Sequence, residues 1–457
     1  MACGKSSCQS GGCHKYDEEV DDQKPLTTTR SSINGNLCVK CKASPAVAGG
    51  AGGGDDGRFC AECFRGSLFG KFRLAVTSNG MISPSDKVLV AFSGGPSSRV
   101  ALQFMHEMQD KALKNFEASR DKSLPVFGVG VAFINEHSAL SIPHEDADEV
   151  VLHIKTIVSD LAPPAKELHV TPIESLYSSH LTDGSSKLME LLDAVPDDTG
   201  KEDLLAYLRM LCLQKVAIEN GYSKLVLGSC TSTIARHVIS ATVKGQGYSL
   251  PADIQYVDAR WKVPALLPLR DCLAQELNVL CQLDGLKTLV ASDGPRSGIN
   301  ALVSSFISLL QEENPSRECT IVRTGGKLTP FSFNRLPDVD DPKARLASQR
   351  RQKKFNIKSD DATPPESFCS LCSSPLHKSD STRFISHTNE QQSADVFEAS
   401  FCSSCRFQIL PVDSSSMEYF YSLLPQPMIA GSKINSYHNR RLLREQIQDF
   451  LLSDGED

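Results

Sequence analysis

Residues 87–92, KVLVAF, form a nearly unbroken apolar run, the pattern of a short strand buried on both faces. SSRVALQFMHEM (97–108) follows, with apolar residues spaced as one stripe of an amphipathic helix. VFGVGVAFI (126–134), ELHVTPIE (167–174) and KLVLGS (224–229) read as further strands. DLLAYLRMLCLQKVAIENG (203–221) is a helix that stops at Gly221. SSKLMELLDAVPDDTGKED (185–203) reads as a helical insertion with a loop, and NALVSSFISLLQEEN (300–314) as a late helix. This alternation predicts an α/β fold, a doubly wound parallel sheet with helices on both faces.

The flanks have other patterns. Residues 1–36 are polar and expected to form a disordered tail, with Cys3, Cys8 and Cys13 as unpaired thiols. Residues 37–75 hold a first cysteine module and 76–335 the α/β domain. Residues 336–367 are polar and strand-poor, a basic linker or loop. Residues 368–457 hold a second cysteine module and a final helix, NRRLLREQIQDFLL, whose Leu442, Leu443, Ile447, Phe450 and Leu451 share one stripe. That stripe suits packing on the chain's own core or docking on a partner.

At 457 residues the chain has length for about two or three domains. The formal net charge is -7, so any nucleic-acid contact must come from local basic patches. No apolar run is long enough to span a bilayer, and no secretory apolar segment opens the chain. DEEVDD at 17–22 is too acidic for a transit peptide, and Ala2 rules out N-myristoylation. The expectation is a soluble cytoplasmic protein with no membrane partner.

Many of the 16 cysteines stand in CxxC pairs, which without an export signal favour metal over disulfides. Cys38, Cys41, Cys60 and Cys63 read CVKC…CAEC across a glycine-rich turn, the spacing of a tetrahedral zinc knuckle. Cys369, Cys372, Cys402 and Cys405 read CSLC…CSSC across a longer hydrophilic interval, a second such site. His377 and His387 lie in that interval and read as loop histidines; one of them in place of a cysteine would make a site of three cysteines and one histidine. Four thiolates close the shell of a zinc ion, so both sites are expected to be structural.

Chemistry concentrates at residues 88–102, VLVAFSGGPSSRVAL. Ser93, Gly94 and Gly95 end a strand and open a helix, where backbone N–H groups and the helix terminus attract an anion. Pro96 and the serines after it, Ser97 and Ser98, suit a first helical turn. A tight strand-to-helix turn without a ligand reads the same way. The stretch contains no Lys, Asp or Glu.

These residues resemble the SGGxDS motif of the PP-loop ATP pyrophosphatases, with Ser97 where that family has Asp. A hydroxyl cannot replace a carboxylate as ligand for a hard cation. The family's GHNxDDxxET motif matches residues 228–237, GSCTSTIARH, where only Gly228 survives. Pro268, Leu269 and Arg270 with Glu276 keep its PLRxxxxxE element. Thiolating members carry two working cysteines; the resemblance places these at residues 202–206 (EDLLA) and at Leu266, where this chain has none. Cys212, Cys230, Cys272 and Cys281 remain nearby and read as small buried apolar residues. The resemblance therefore implies a fold kept without its chemistry, no catalytic residue, and a degenerate nucleotide loop at Ser93, Gly94, Gly95, Ser97 and Ser98, with ATP binding left open.

FCAECF, the KFR run at 71–73, LVAFSGGPSS and the C-terminal CxxC pairs together resemble the cytoplasmic tRNA 2-thiolation protein 2 family over roughly residues 37–452. That resemblance implies a non-catalytic subunit of a cytosolic tRNA thiolase, acting in 2-thiolation of the wobble uridine of Lys, Glu and Gln tRNAs. It implies as partners tRNA, a catalytic paralogue that adenylates the uridine, and a ubiquitin-related modifier as sulfur donor. Arg65, Lys71 and Arg73 beside the first knuckle, and Arg350, Arg351, Lys353 and Lys354 in the loop from Arg345 to Lys358, are the candidates for RNA phosphate contacts. A solvated charged surface is the competing reading of both clusters. The rival functions are an active ATP-dependent tRNA thiouridylase and a zinc-ribbon interaction protein without an RNA role.

Overall fold

The computed structural model describes residues 37–49, 58–119, 125–140, 144–177, 184–289, 297–314, 316–328, 334, 368–376 and 400–428. The three N-terminal cysteines, the cluster with Arg350, Arg351, Lys353 and Lys354, His377, His387 and the stripe at 442–451 lie outside the described residues.

A small antiparallel ribbon, β1 (Ala48–Gly49) with β2 (Arg58–Phe59), passes directly into α1 (Ala61–Ser78). The α/β alternation then begins with β3 (Lys87–Ala91), α2 (Pro96–Ala118) and β4 (Gly128–Asn135). It continues through α3 (His137–Leu140), α4 (His144–Ser159) and β5 (Glu167–Pro172). α5 (Gly184–Asp193) and α6 (Asp198–Glu219) lead to β6 (Lys224–Val226) and α7 (Thr231–Val243). The short α8 (Leu250–Asp253), β7 (Val257–Asp258) and β8 (Ala265–Leu266) precede α9 (Ala274–Leu283). α10 (Gly298–Glu313) and α11 (Ser316–Gly325) follow, and the C-terminal module adds α12 (Ser403–Gln408) and α13 (Ser414–Leu423).

Six strands form the main sheet in the order β5-β4-β3-β6-β8-β7. β3 lies inside it, with Val90 beside Val131 of β4 and Val226 of β6, all parallel. The expected parallel sheet is present, with one antiparallel edge: β7 runs antiparallel to β8. The link at 259–264 is too short for the crossover that a parallel pair requires.

Alternation along β3 divides the core in two. Val88 and Val90 face a layer built by α1, α2, α4 and α9, while Leu89 faces α5 and α6 together with Ala132 and Leu225. α1 buries Phe64, Leu68 and Phe72 at helical spacing, and Phe69 and Phe72 both meet Phe104 of α2 edge-on, with centroids 5.2 and 5.4 Å apart. Each such side chain contributes about 1.5–3 kcal/mol on burial. The second layer is completed from far along the chain: Cys369, Leu371, Phe401, Cys402, Cys405 and Ile409 pack in one cluster with Leu204, Leu208 and Leu213 of α6. Among the described residues no helix is long and apolar enough to cross a membrane.

Candidate functional site

The glycine loop sits at the carboxyl end of β3, where ligands bind in doubly wound sheets. Gly94 has φ +83°, a left-handed conformation, and Gly95 caps α2. The loop is bonded to itself. The Ser98 hydroxyl donates to the Gly95 carbonyl at 2.9 Å and accepts the Ser93 N–H at 3.3 Å, and the two hydroxyl oxygens lie 3.2 Å apart. Ser98 is buried, Ser97 half-buried and Ser93 exposed. Over the loop lies residue 289. Its N–H donates to the Gly94 carbonyl at 2.9 Å, and a methyl placed on Gly94 would fall 2.3 Å from Leu289 Cδ1. An aliphatic side chain therefore covers the face of Gly94.

Gly228, the survivor of the second motif, is kept by packing. A methyl there would come within 2.8 Å of the Ser98 backbone nitrogen, so β6 ends against the start of α2 only because this residue lacks a side chain. The hydroxyls that replace the lost acids have structural partners. Ser232 Oγ donates to Glu318 at 2.6 Å, and Thr233 Oγ1 accepts from Arg236 Nη2 at 3.4 Å; Thr231 Oγ1, beside them, donates to the Arg270 carbonyl at 2.7 Å. The retained PLRxxxxxE element is structural too. Arg270 Nε donates to the Ile254 carbonyl at 2.6 Å beneath the Tyr256 ring. Glu276 accepts the Leu273 N–H at 3.0 Å at the start of α9 and pairs with Lys71 of α1 at 3.1 Å.

Cys212, Cys230, Cys272 and Cys281 are all buried. Burial pushes the Cys212 thiol up to about 11, Cys272 to about 12 and Cys281 to about 11, so these groups stay protonated at neutral pH. A protonated thiol is a poor nucleophile and a poor metal ligand.

The eight paired cysteines form two tight groups. Cys38, Cys41, Cys60 and Cys63, and separately Cys369, Cys372, Cys402 and Cys405, each bring four Sγ atoms within 4.8 Å of one another. The two are built to one plan. In each, a residue with positive φ, Lys42 or Ser373, returns its N–H to the carbonyl of the first cysteine, and the first cysteine's N–H is tied to Ser44 or Ser374. In each, the third cysteine caps a helix, Cys60 for α1 and Cys402 for α12. Burial works against the Cys38 thiolate, but backbone N–H groups of Cys41, Cys60 and Lys40 outweigh it and bring that thiol down to about 6. Four convergent sulfurs on such knuckles fit a tetrahedral cation that takes soft ligands.

The basic residues of α1 divide. Arg65 donates through Nε to Asp284 at 2.7 Å and also bonds Glu107, tying α1 to α9 and α2. Lys71 is held by Glu276, whereas Arg73 is exposed.

Sequence reasoning missed an open cavity of about 330 Å³ beyond the ends of β6 and β8, lined by α6, α7, residues 246–261 and Cys372 of the second knuckle. Ser229 and Thr233 of the altered motif line it, with His237, Arg260, Trp261 and Tyr207. The juxtaposed charges of DARW, beside the only tryptophan in the chain, were the available signal.

Residues 298–408 match the family model described as cytoplasmic tRNA 2-thiolation protein 2. A protein of that name from Arabidopsis thaliana is 58% identical over 460 residues, covering 100% of both chains. The chain belongs to the cytoplasmic tRNA 2-thiolation protein 2 family. A second relative of the same name, from Oryza sativa subsp. japonica, is 51% identical over 424 residues, covering 92% of this chain and 90% of its own. Among solved structures, the U34-tRNA thiolase NcsA from Methanococcus maripaludis with its 4Fe-4S cluster is 19% identical, with a TM-score of 0.48 over 68% of this chain and 92% of its own.

Proposed function

We propose that this chain is a non-catalytic subunit of a cytoplasmic tRNA thiolase, needed for 2-thiolation of the wobble uridine of Lys, Glu and Gln tRNAs. Family membership supports the pathway. The observation that carries the non-catalytic role is the loop itself: Leu289 covers Gly94, and Ser97 stands where a catalytic loop needs an acid. The nearby thiols are buried and protonated, so they do not carry sulfur.

In this reading a catalytic paralogue, cytoplasmic tRNA 2-thiolation protein 1, adenylates the uridine and accepts sulfur from a ubiquitin-related modifier. This chain supplies structure and tRNA contact. Zinc occupies both four-cysteine groups, where four thiolates close its shell and leave no open position for catalysis. The N-terminal and C-terminal cysteine modules flank the PP-loop-like domain and secure its two outer layers.

Reconstitution tests the reading. This chain, the paralogue and the pair are each given ATP, the modifier's thiocarboxylate and unmodified tRNA, and pyrophosphate and 2-thiouridine are measured. Turnover by the pair and none by this chain alone is the expected result. ATP–pyrophosphate exchange by the pure chain would make it the active thiouridylase instead.

A further inference from the structure

Two open clefts meet at Pro196, where the C-terminal module packs on the α/β domain. One runs between α5 and α13, past Val412 and Tyr419. The other lies among the start of α6, the start of α10 and Phe407 of α12. Apolar side chains stand bare along this tract. Val412 is 97% exposed and Phe407 83%, the most exposed large apolar side chains among the described residues. Leu302, one turn along α10 from the second cleft, is exposed as well. A continuous apolar surface with a polar rim marks a place where a protein segment packs.

The rim sets the charge of that segment. Glu190, Asp193, Asp197, Asp198 and Asp413 line the two clefts, and no Lys, Arg or His does. Four of them accept from neutral donors: Glu190 from the Tyr419 hydroxyl at 2.7 Å, Asp197 from the Gly200 N–H at 2.9 Å, Asp413 from the Ser416 N–H at 2.9 Å, and Asp198 from Ser297. None of the five forms an ion pair among the described residues. Uncompensated carboxylates repel RNA phosphates, so tRNA does not occupy this face. A basic amphipathic helix fits it.

The chain itself carries such a segment. Residues 440–444, RRLLR, hold three arginines and no acid. At helical spacing Arg440 and Arg444 stand one turn apart beside the stripe of Leu443, Ile447 and Phe450. The basic loop from Arg345 to Lys358 matches the charge but has no such stripe. Met428, the last described residue, is buried in one cluster with Leu191, Leu192 and Val195, next to the first cleft. From there to Arg440 is about a dozen residues, an extended reach of up to about 40 Å.

We propose that residues 440–451 dock as a helix in this tract, with Leu443, Ile447 and Phe450 on Val412 and Phe407 and with Arg440 and Arg444 against the acidic rim. The proposal does not depend on the thiolation reading.

Hydrogen exchange on the full chain reads the docking directly. Amides at 443–451 should exchange at least ~10-fold more slowly than in a free 438–453 peptide, since so short a helix is marginal alone. Val412→Asp and Phe407→Asp, at exposed positions, should keep the melting temperature and remove most of that protection. A fluorescein-labelled 438–453 peptide should bind a chain ending at residue 437 saturably. It should bind the full chain at least ~10-fold more weakly, because the tethered segment competes. Arg440→Glu with Arg444→Glu in the peptide should weaken binding by at least ~10-fold. Unprotected amides in the full chain, protection unchanged by both folded variants, or equal peptide binding to the full and shortened chains overturns the proposal. Protection that appears only with the paralogue present makes the segment a partner's anchor, and protection lost on dilution of a dimer assigns the face to a second copy. Either result also overturns it.

Discussion

Leu289 seals Gly94: its side chain lies on the glycine's open face while its N–H holds the glycine's carbonyl at 2.9 Å. Gly94→Ala therefore meets two obstacles, a left-handed φ of +83° and the Leu289 side chain. It should cost at least ~1–3 kcal/mol, read by chemical denaturation. Leu289→Ala should be milder and should not create ATP turnover, because no carboxylate is restored. Turnover in that variant would contradict the non-catalytic reading.

The two loop serines should behave differently. Ser98 is buried and bonded to both Gly95 and Ser93, so Ser98→Ala should lose about 1–3 kcal/mol of stability. Ser97→Ala should change stability by less than about 0.5 kcal/mol. Neither should alter thiolation by the assembled pair once the chain is folded. A Ser97→Ala chain that assembles yet abolishes 2-thiouridine would place chemistry in this subunit.

Metal analysis by mass spectrometry should find two zinc ions per chain and one after Cys38→Ser or Cys402→Ser. The consequences should be unequal. Cys402 lies in the cluster shared with α6, while the first knuckle reaches the core through α1. Cys402→Ser should lower the melting temperature by about 5 °C or more beyond Cys38→Ser.

Arg65 and Arg73 separate packing from RNA contact. Arg73→Ala should reduce the slope of log affinity for tRNA against log salt by about 1 and leave the melting temperature unchanged. Arg65→Ala should cost up to roughly 1 kcal/mol, given its partly exposed pairs, and leave the salt slope alone.

Glu318 supplies a pH signature. It is 1% exposed, and burial holds its carboxyl above the ordinary 4.5 against opposing bonds from Ser232 and Gln311. The folded chain thus binds this proton more tightly than the unfolded chain. The stabilisation is complete below the unfolded value and is lost as pH rises through the folded one. Melting temperatures from pH 4.5 upward should show that decline in the wild type, and Glu318→Gln should lack that component.

The sequence made the inner strands legible because their environment is simple. β3 and β4 are buried on both faces and read as apolar runs, and α6 stops at Gly221, whose φ is +67°. β7 and β8 are two residues each, too short to leave a period, so the antiparallel edge was not legible. The CxxC spacing found both sulfur groups because their geometry is local to each knuckle. Arg65 and Lys71 read as candidates for RNA phosphate contact or as solvated charges, since nothing in their own segment announces Asp284, Glu107 or Glu276. The cover on Gly94 and the cavity around Arg260 arise from segments distant in sequence, and no local pattern encodes such meetings.

The knuckle at Cys402 and Cys405 finishes a hydrophobic layer that starts with Leu89 of β3. During synthesis the ribosome must therefore expose more than half of the polypeptide before that layer can close. Until then the apolar side of α6 lacks the cover that this module gives it. An ion held by those four sulfurs would therefore act on the closure of a whole core layer, late in synthesis.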